Sequence, residues 1–278
     1  MKITFFGVRG TSPVTQPEFS RYGGETTSLL VEGKSGEKII IDAGTGLRDL
    51  GRKVTDEPPD SALLLLMTHY HLDHVIGLPS FFPLYDKQCR ITAAAPIQEG
   101  RSVQEVLSRI FDEPFWPLQV DTLPARFDFL TLSSGPLRWG ELEIRWAPLH
   151  HPGGATAYRI DEPATNASFV FATDVEWNES TDAEKEAFIK LCADPAPPDL
   201  LVFDGQYSDD NYDTYRGWGH GPWQTAAAVA GAVKANRLLI THHDPANDDN
   251  YLAEIEKKLK EILPSGALAR AGMEVILN

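Results

Sequence analysis

The sequence predicts an α/β protein in which two mixed sheets pack face to face with helices outside. Three observations carry this. Apolar runs of strand length alternate with helix-spaced segments. That series, strands with helices interspersed, occurs twice along the 278 residues. Several of the strand-like runs are followed directly by histidine or aspartate, so chemistry collects where strands end. With no internal repeat, low-complexity tract or shift in composition, one domain spanning residues 1–278 is the economical reading.

Residues 2–8 alternate as a first strand, and Arg9 to Tyr22, with two prolines and many small polar residues, reads as a loop. Thr27 to Glu32 and Lys38 to Asp42 flank a glycine-bearing turn and predict a hairpin. Asp42-Ala43-Gly44-Thr45-Gly46 then offers small residues that let backbone approach closely; a strand-to-helix turn capped by Thr45 explains them equally well. A short helix from Leu47 to Lys53 and a proline-bearing linker lead to the apolar strand 62–67. Gly77-Leu78-Pro79 opens a helix through Phe81, Phe82 and Leu84, Arg90 to Ala95 is a strand, and Ile97 to Phe111 has helical apolar spacing. Pro114-Phe115-Trp116-Pro117-Leu118 is barred from regular structure by its prolines; its aromatics suit a core plug, a pocket wall or a homodimer contact.

Strands are then expected at Phe127–Leu132, Leu137–Trp139, Glu141–Trp146, Ala155–Ile160 and Ser168–Ala172. Thr181 to Cys192 is an amphipathic helix, Pro195 to Pro198 a linker, and Leu200 to Phe203 a buried strand. Pro222 to Ala235 is an alanine-rich helix with proline at its start, Leu238 to Thr241 a strand and Tyr251 to Ile262 a closing helix.

Acidic residues outnumber Lys plus Arg by 40 to 25, a formal charge of −15. No basic run offsets this, so the composition favours a small-molecule substrate over nucleic acid. Cys89 and Cys192 are too few for a disulfide framework and suggest a reducing, cytoplasmic setting. The N-terminal residues read as a strand and not a signal peptide, and no apolar run approaches the ~20 residues of a membrane helix.

The chemistry centres on Thr68-His69-Tyr70-His71-Leu72-Asp73-His74, directly after the apolar strand. If the segment stays extended, His69, His71 and Asp73 share a side, while His74 turns away or begins a helix. All eight histidines fall in four short places: this heptad, His150/His151, His220 and His242/His243. Such clustering beside carboxylates is what a two-metal site requires, since borderline metals accept imidazole and carboxylate together. Taking one histidine from each doublet gives His69, His71, Asp73, His74, His151, Asp174 and His242 as ligands, with His150 and His243 as alternatives. Asp174 is the candidate for a carboxylate shared by two ions. Zinc, manganese and iron all accept this donor set.

The heptad and the later His, Asp and His, in this order, resemble the metallo-β-lactamase superfamily. Gly77-Leu78-Pro79, Tyr158-Arg159 after His151, Asp204 after Leu201-Val202-Phe203, Gly219-His220 and Thr241-His242 resemble its ribonuclease Z and cyclic-phosphodiesterase branch. The resemblance implies an αβ/βα four-layer sandwich holding two divalent ions, zinc first among them. One would take His69, His71 and His151, the other Asp73, His74 and His242, with Asp174 bridging. It further implies that His220 protonates a leaving oxygen, oriented by Asp204; Asp73, His220 and Asp204 are thus the catalytic candidates. Ribonuclease Z enzymes generally carry a long tRNA-gripping arm between the third histidine and the bridging aspartate, whereas here only a short hairpin fits between His151 and Asp174. A metal-dependent hydrolase of small, including cyclic, phosphodiesters is the function expected. A lactone or thioester hydrolase, or a non-catalytic metal-binding sensor, are the alternatives.

Overall fold

Strands β1 (Lys2–Gly7), β2 (Ser28–Glu32), β3 (Lys38–Ile41), β4 (Leu63–Leu66), β5 (Arg90–Ala95) and β6 (Arg126–Thr131) form in the first half of the computed structural model, which describes residues 1–55 and 62–278. Helices α1 (Leu47–Thr55), α2 (Leu72–Val75) and α3 (Val103–Ile110) lie between them. The proline-bearing linker expected before β4 lies outside the described residues. The second half supplies β7 (Leu137–Trp139), β8 (Leu142–Leu149), β9 (Ala155–Glu162), β10 (Ala167–Ala172), α4 (Asp182–Ala193), β11 (Leu200–Asp204), α5 (Tyr212–Tyr215), α6 (Trp223–Ala232), β12 (Leu238–Thr241), α7 (Asp249–Ile262), β13 (Gly266–Leu268) and β14 (Glu274–Ile276).

The first sheet has the order β14-β1-β2-β3-β4-β5-β6 and the second β13-β12-β11-β10-β9-β8-β7. Both are mixed: β14 to β3 and β7 to β10 pair antiparallel, β3 to β6 and β10 to β13 parallel. The strand period of two sorts their side chains between layers. Leu29 and Val31 of β2 enter the core between the sheets, where they join Phe169, Phe171 and Val202 of the second sheet. Leu30 faces the other way, into a cluster with Leu47, Leu50 and Leu107 of α1 and α3. Leu201 and Phe203 likewise meet Phe188, Ala226 and Leu252 of α4, α6 and α7. The result is the four-layer αβ/βα sandwich.

Several boundaries differ from expectation for physical reasons. The heptad does not stay extended: His71 is the last extended residue, and α2 begins at Leu72. Asp73 and His74 are therefore placed by a helical turn, the second of the two alternatives for His74, and that turn brings His74 toward its neighbours. The helix expected after Gly77 is two 3-10 turns, Leu78–Ser80 and Phe82–Tyr85, because Pro83 cannot donate to a continuous ladder and Phe81 between them is extended. The helix predicted from Ile97 starts only at Val103, where Ser102 accepts from the Glu105 N–H and Glu105 accepts from the Ser102 N–H. In the Pro114–Leu118 stretch, Trp116 packs against the outer cluster of the first sheet while Phe115 stays exposed. Helix α5 and strands β13 and β14 were not expected. Among the described residues, no helix is long and apolar enough to cross a membrane.

Candidate metal centre

Residues that follow β3, β4, β8, β10, β11 and β12 converge on one point. Three of them, Asp42, Asp174 and His242, adopt left-handed backbone, with φ of 60°, 59° and 62°. Asp42, at the end of β3, is the hub of the first sheet's contribution. Its Oδ1 accepts the Thr68 N–H at 2.7 Å, and its Oδ2 accepts the Thr68 hydroxyl at 2.7 Å and His74 Nδ1 at 2.8 Å. Thr68 Oγ1, its own proton given to Asp42, lies 3.1 Å from His69 Nδ1 and takes that proton donor. The close approach that Asp42–Gly46 foreshadowed is real, for a Cβ on Gly44 would stand 2.5 Å from the Asp73 carbonyl oxygen. Thr45 does not serve as a cap; its Oγ1 accepts the Thr26 N–H at 2.9 Å.

The second sheet supplies the rest. His151 follows β8 and donates Nδ1–H to Gly219 O at 2.8 Å, and His242 donates Nδ1–H to Gln206 Oε1 at 2.9 Å. With the Nδ1 atoms of His74, His151 and His242 committed as donors, their Nε2 atoms face inward. His74 Nε2 and His242 Nε2 stand 3.3 Å apart, each 3.3 Å from Asp73 Oδ2. Asp174 Oδ2 is 3.3 Å from His74 Nε2, and its Oδ1 is 3.3 Å from His242 Nε2 and 3.5 Å from His69 Nε2. His151 Nε2 lies 3.0 Å from His71 Nδ1 and 3.8 Å from Asp174 Oδ1. Every ligand predicted from sequence is in this cluster, and His71 is its exposed member.

The donor set fits divalent cations. Imidazole nitrogens and carboxylate oxygens converge, and buried His69 Nε2 and Asp174 Oδ2 have no hydrogen-bond partner. Burial pushes His69, His71 and His151 toward the neutral imidazole, His151 to about 4. Burial also opposes charge on His74 and His242, but Asp174 and Asp73 outweigh it and raise both. Burial would raise Asp73 and Asp174, yet the facing imidazoles hold both low. Carboxylates that draw a proton onto His74 and His242 draw a divalent cation by the same attraction.

His220 adjoins this cluster. Its Nδ1 lies 2.8 Å from Asp204 Oδ2, its ring stacks on His242 with centroids 4.7 Å apart, and it meets His151 edge-on at 5.2 Å. Asp204 Oδ2 also accepts the Asp174 N–H at 3.0 Å, tying the two carboxylates together. His150 and His243 stand outside: His150 Nδ1 faces Glu184 at 3.3 Å, and buried His243 sits 2.8 Å from Ala269 O.

Sequence reasoning did not single out Asp42, Gln206 or Thr11 as orienting groups. Gln206 Nε2 donates to Thr11 Oγ1 at 3.3 Å, and the Thr11 N–H donates to Asp73 Oδ2 at 2.8 Å, so one short relay holds a ligand from each sheet. Asp42 had a signal in its place at a strand end; Gln206 had none. Trp116, considered as a pocket wall, belongs to the first sheet's outer cluster, and Trp218, two residues before His220, is exposed.

The family model described as "Beta-lactamase superfamily domain" matches residues 37–243. A Ribonuclease Z from Haloarcula marismortui is 24% identical over 284 residues, covering 87% of this chain and 86% of that protein. A solved diphosphatase from the PhnP family superposes with a TM-score of 0.73 at 18% identity, over 100% of this chain and 98% of its own. Human tRNase Z, short form, gives 0.70 at 19% identity over 100% of both chains. Similarity to a ribonuclease removes the support for setting nucleic acid aside on charge alone.

Proposed function

The chain belongs to the beta-lactamase superfamily, and on that premise we propose that it is a metal-dependent phosphodiesterase with a dinuclear centre, built as one domain. His69, His71 and His151 would hold one ion, Asp73, His74 and His242 the other, and Asp174 would be shared. Divalent ions so held supply a nucleophile from water at neutral pH and neutralise charge on a phosphoryl oxygen. Zinc suits this imidazole-rich set, and manganese and iron are accepted by it.

The observation that carries the phosphodiester reading is the His220–Asp204 pair, 2.8 Å apart, set against the cluster. Asp204, facing Nδ1, orients the His220 ring, so His220 is placed to give a departing alkoxide the proton it needs. A carbonyl substrate such as a lactone or thioester calls for this acid less. The substrate we infer is a small phosphodiester, cyclic ones included, which suits the short turn joining β9 to β10. The second reading is RNA, favoured by the Ribonuclease Z relatives. The two unpaired cysteines support a cytoplasmic setting.

Metal-loaded protein should hydrolyse bis(p-nitrophenyl) phosphate, with His71→Ala at background. Equal rates for the two proteins would overturn the proposal. An RNA oligonucleotide and an ester and lactone panel, run alongside, separate the three substrate classes, while elemental analysis gives the metal.

A further inference from the structure

Glu176 is a buried carboxylate, 1% exposed, outside the ligand set and outside the His220–Asp204 pair. Its Oε1 accepts the Tyr212 hydroxyl at 2.8 Å and the Gly217 N–H at 2.7 Å, and its Oε2 accepts the Gly219 N–H at 2.8 Å. Both oxygens are thereby spent on one loop, residues 212–219, immediately before His220. That loop does two things at the cluster. It presents the Gly219 carbonyl to His151 Nδ1 at 2.8 Å, and it delivers His220 to Asp204. The approach is so close that a Cβ on Gly219 would stand 2.2 Å from His151 Nδ1, and Gly219 has φ +92°. Arg216 pairs with Glu179 and Tyr215 stacks on Tyr207, but at the glycines themselves it is Glu176 that takes the Gly217 and Gly219 N–H groups.

Glu176 is also covalently close to the cluster. It lies two residues after Asp174, and its own N–H donates to the His150 carbonyl at 2.9 Å, next to His151. One three-residue stretch therefore carries the carboxylate facing His69, His74 and His242 and the carboxylate that sets the loop.

We propose that Glu176 is a positioning residue: by gripping the Gly217 and Gly219 N–H groups it fixes the tautomer of His151 and the place of His220. This rests on the phosphodiesterase reading for its kinetic consequence only. In Glu176→Gln an amide N–H₂ replaces one acceptor and must face a donor, so the loop shifts while side-chain volume is kept.

The test has two arms. In histidine-labelled protein, the Nδ1–H signals of His151 and His220 should be visible and protected from exchange. They should lose protection in Glu176→Gln and keep it in Glu186→Gln, an exposed control. Kinetically, diaryl phosphates with a good leaving phenol should lose less than about threefold in kcat in Glu176→Gln. Those with a poor leaving phenol should lose about tenfold or more, following His220→Ala, as displacement of a proton donor requires. Unchanged protection of both imidazoles, or equal losses on both esters with metal lost in proportion, would overturn the positioning role. If wild-type protein turns over neither ester, the phosphodiesterase reading falls, and the protection arm alone decides Glu176.

Discussion

Three residues at the cluster, Asp42, Asp174 and His242, hold positive φ at or just beyond the ends of β3, β10 and β12. Such backbone costs on the order of 1–3 kcal/mol per residue and persists where surrounding bonds over-determine it. Here each is pinned: Asp42 by three hydrogen bonds, Asp174 through Asp204, His242 through Gln206. The neighbour His243 shows the opposite use of imidazole. Burial lowers it to about 3, and its Nε2 meets only the Ala269 carbonyl. Its folded pKa lies below the ordinary value near 6.5, so below that pH the unfolded chain takes up a proton that the native chain refuses. Its contribution is therefore complete above about pH 6.5 and shrinks by about 1.4 kcal/mol per pH unit as pH falls toward 3. Urea midpoints for wild type and His243→Gln, measured from pH 7 to 4, should converge as pH falls; parallel curves would refute the neutral, buried assignment. The residues of the cluster were legible in the sequence because few side chains can bind a metal and they came in groups. Their orienting partners were not, since a glutamine such as Gln206 has the same signature in any loop.

At the scale of elements, the heptad shows what periodicity misses. The apolar run of β4 says strand, and nothing in His-Tyr-His-Leu-Asp-His says where strand geometry stops. What decides it is tertiary: Asp42 holds the His74 ring, and the His74 carbonyl accepts the Ala43 N–H, so one helical turn closes against β3. Strands β13 and β14 escaped notice, each being three residues long, whereas β7 of the same length was expected. Helix α4 was legible because its signals agree. Thr181 Oγ1 accepts the Glu184 N–H at 3.3 Å, and Glu184 Oε2 accepts the Thr181 N–H at 2.7 Å. Thr181→Ala should cost about 0.5–2 kcal/mol by chemical denaturation while leaving metal content unchanged. No measurable cost would mean that packing of Phe188 and Leu191 alone sets this helix.

For the whole molecule, the series of strands with helices interspersed, occurring twice along the chain, made the sandwich readable in advance. Leu29 and Val31 go one way and Leu30 the other, and the same division at Val202 and Phe203 builds the matching half. Phe171 sits fully buried between the sheets, three residues from Asp174. Phe171→Ala should lower the unfolding free energy by about 3–5 kcal/mol. A urea-unfolding loss under about 1 kcal/mol would show that the sheets are not closely packed there.

Strand β14 pairs with β1 through Lys2–Ile276, Ile3–Val275 and Thr4–Glu274, so the first sheet is finished by the last stretch of chain. That has a consequence for biosynthesis. A ribosome releases the heptad early, with Asp42 already available to hold His74, while His151, Asp174 and His242 are still to come. The nascent chain thus displays half of the cluster on a sheet in which β1 is paired with β2 and its other edge still awaits β14. The cluster can close only once His242 has been made.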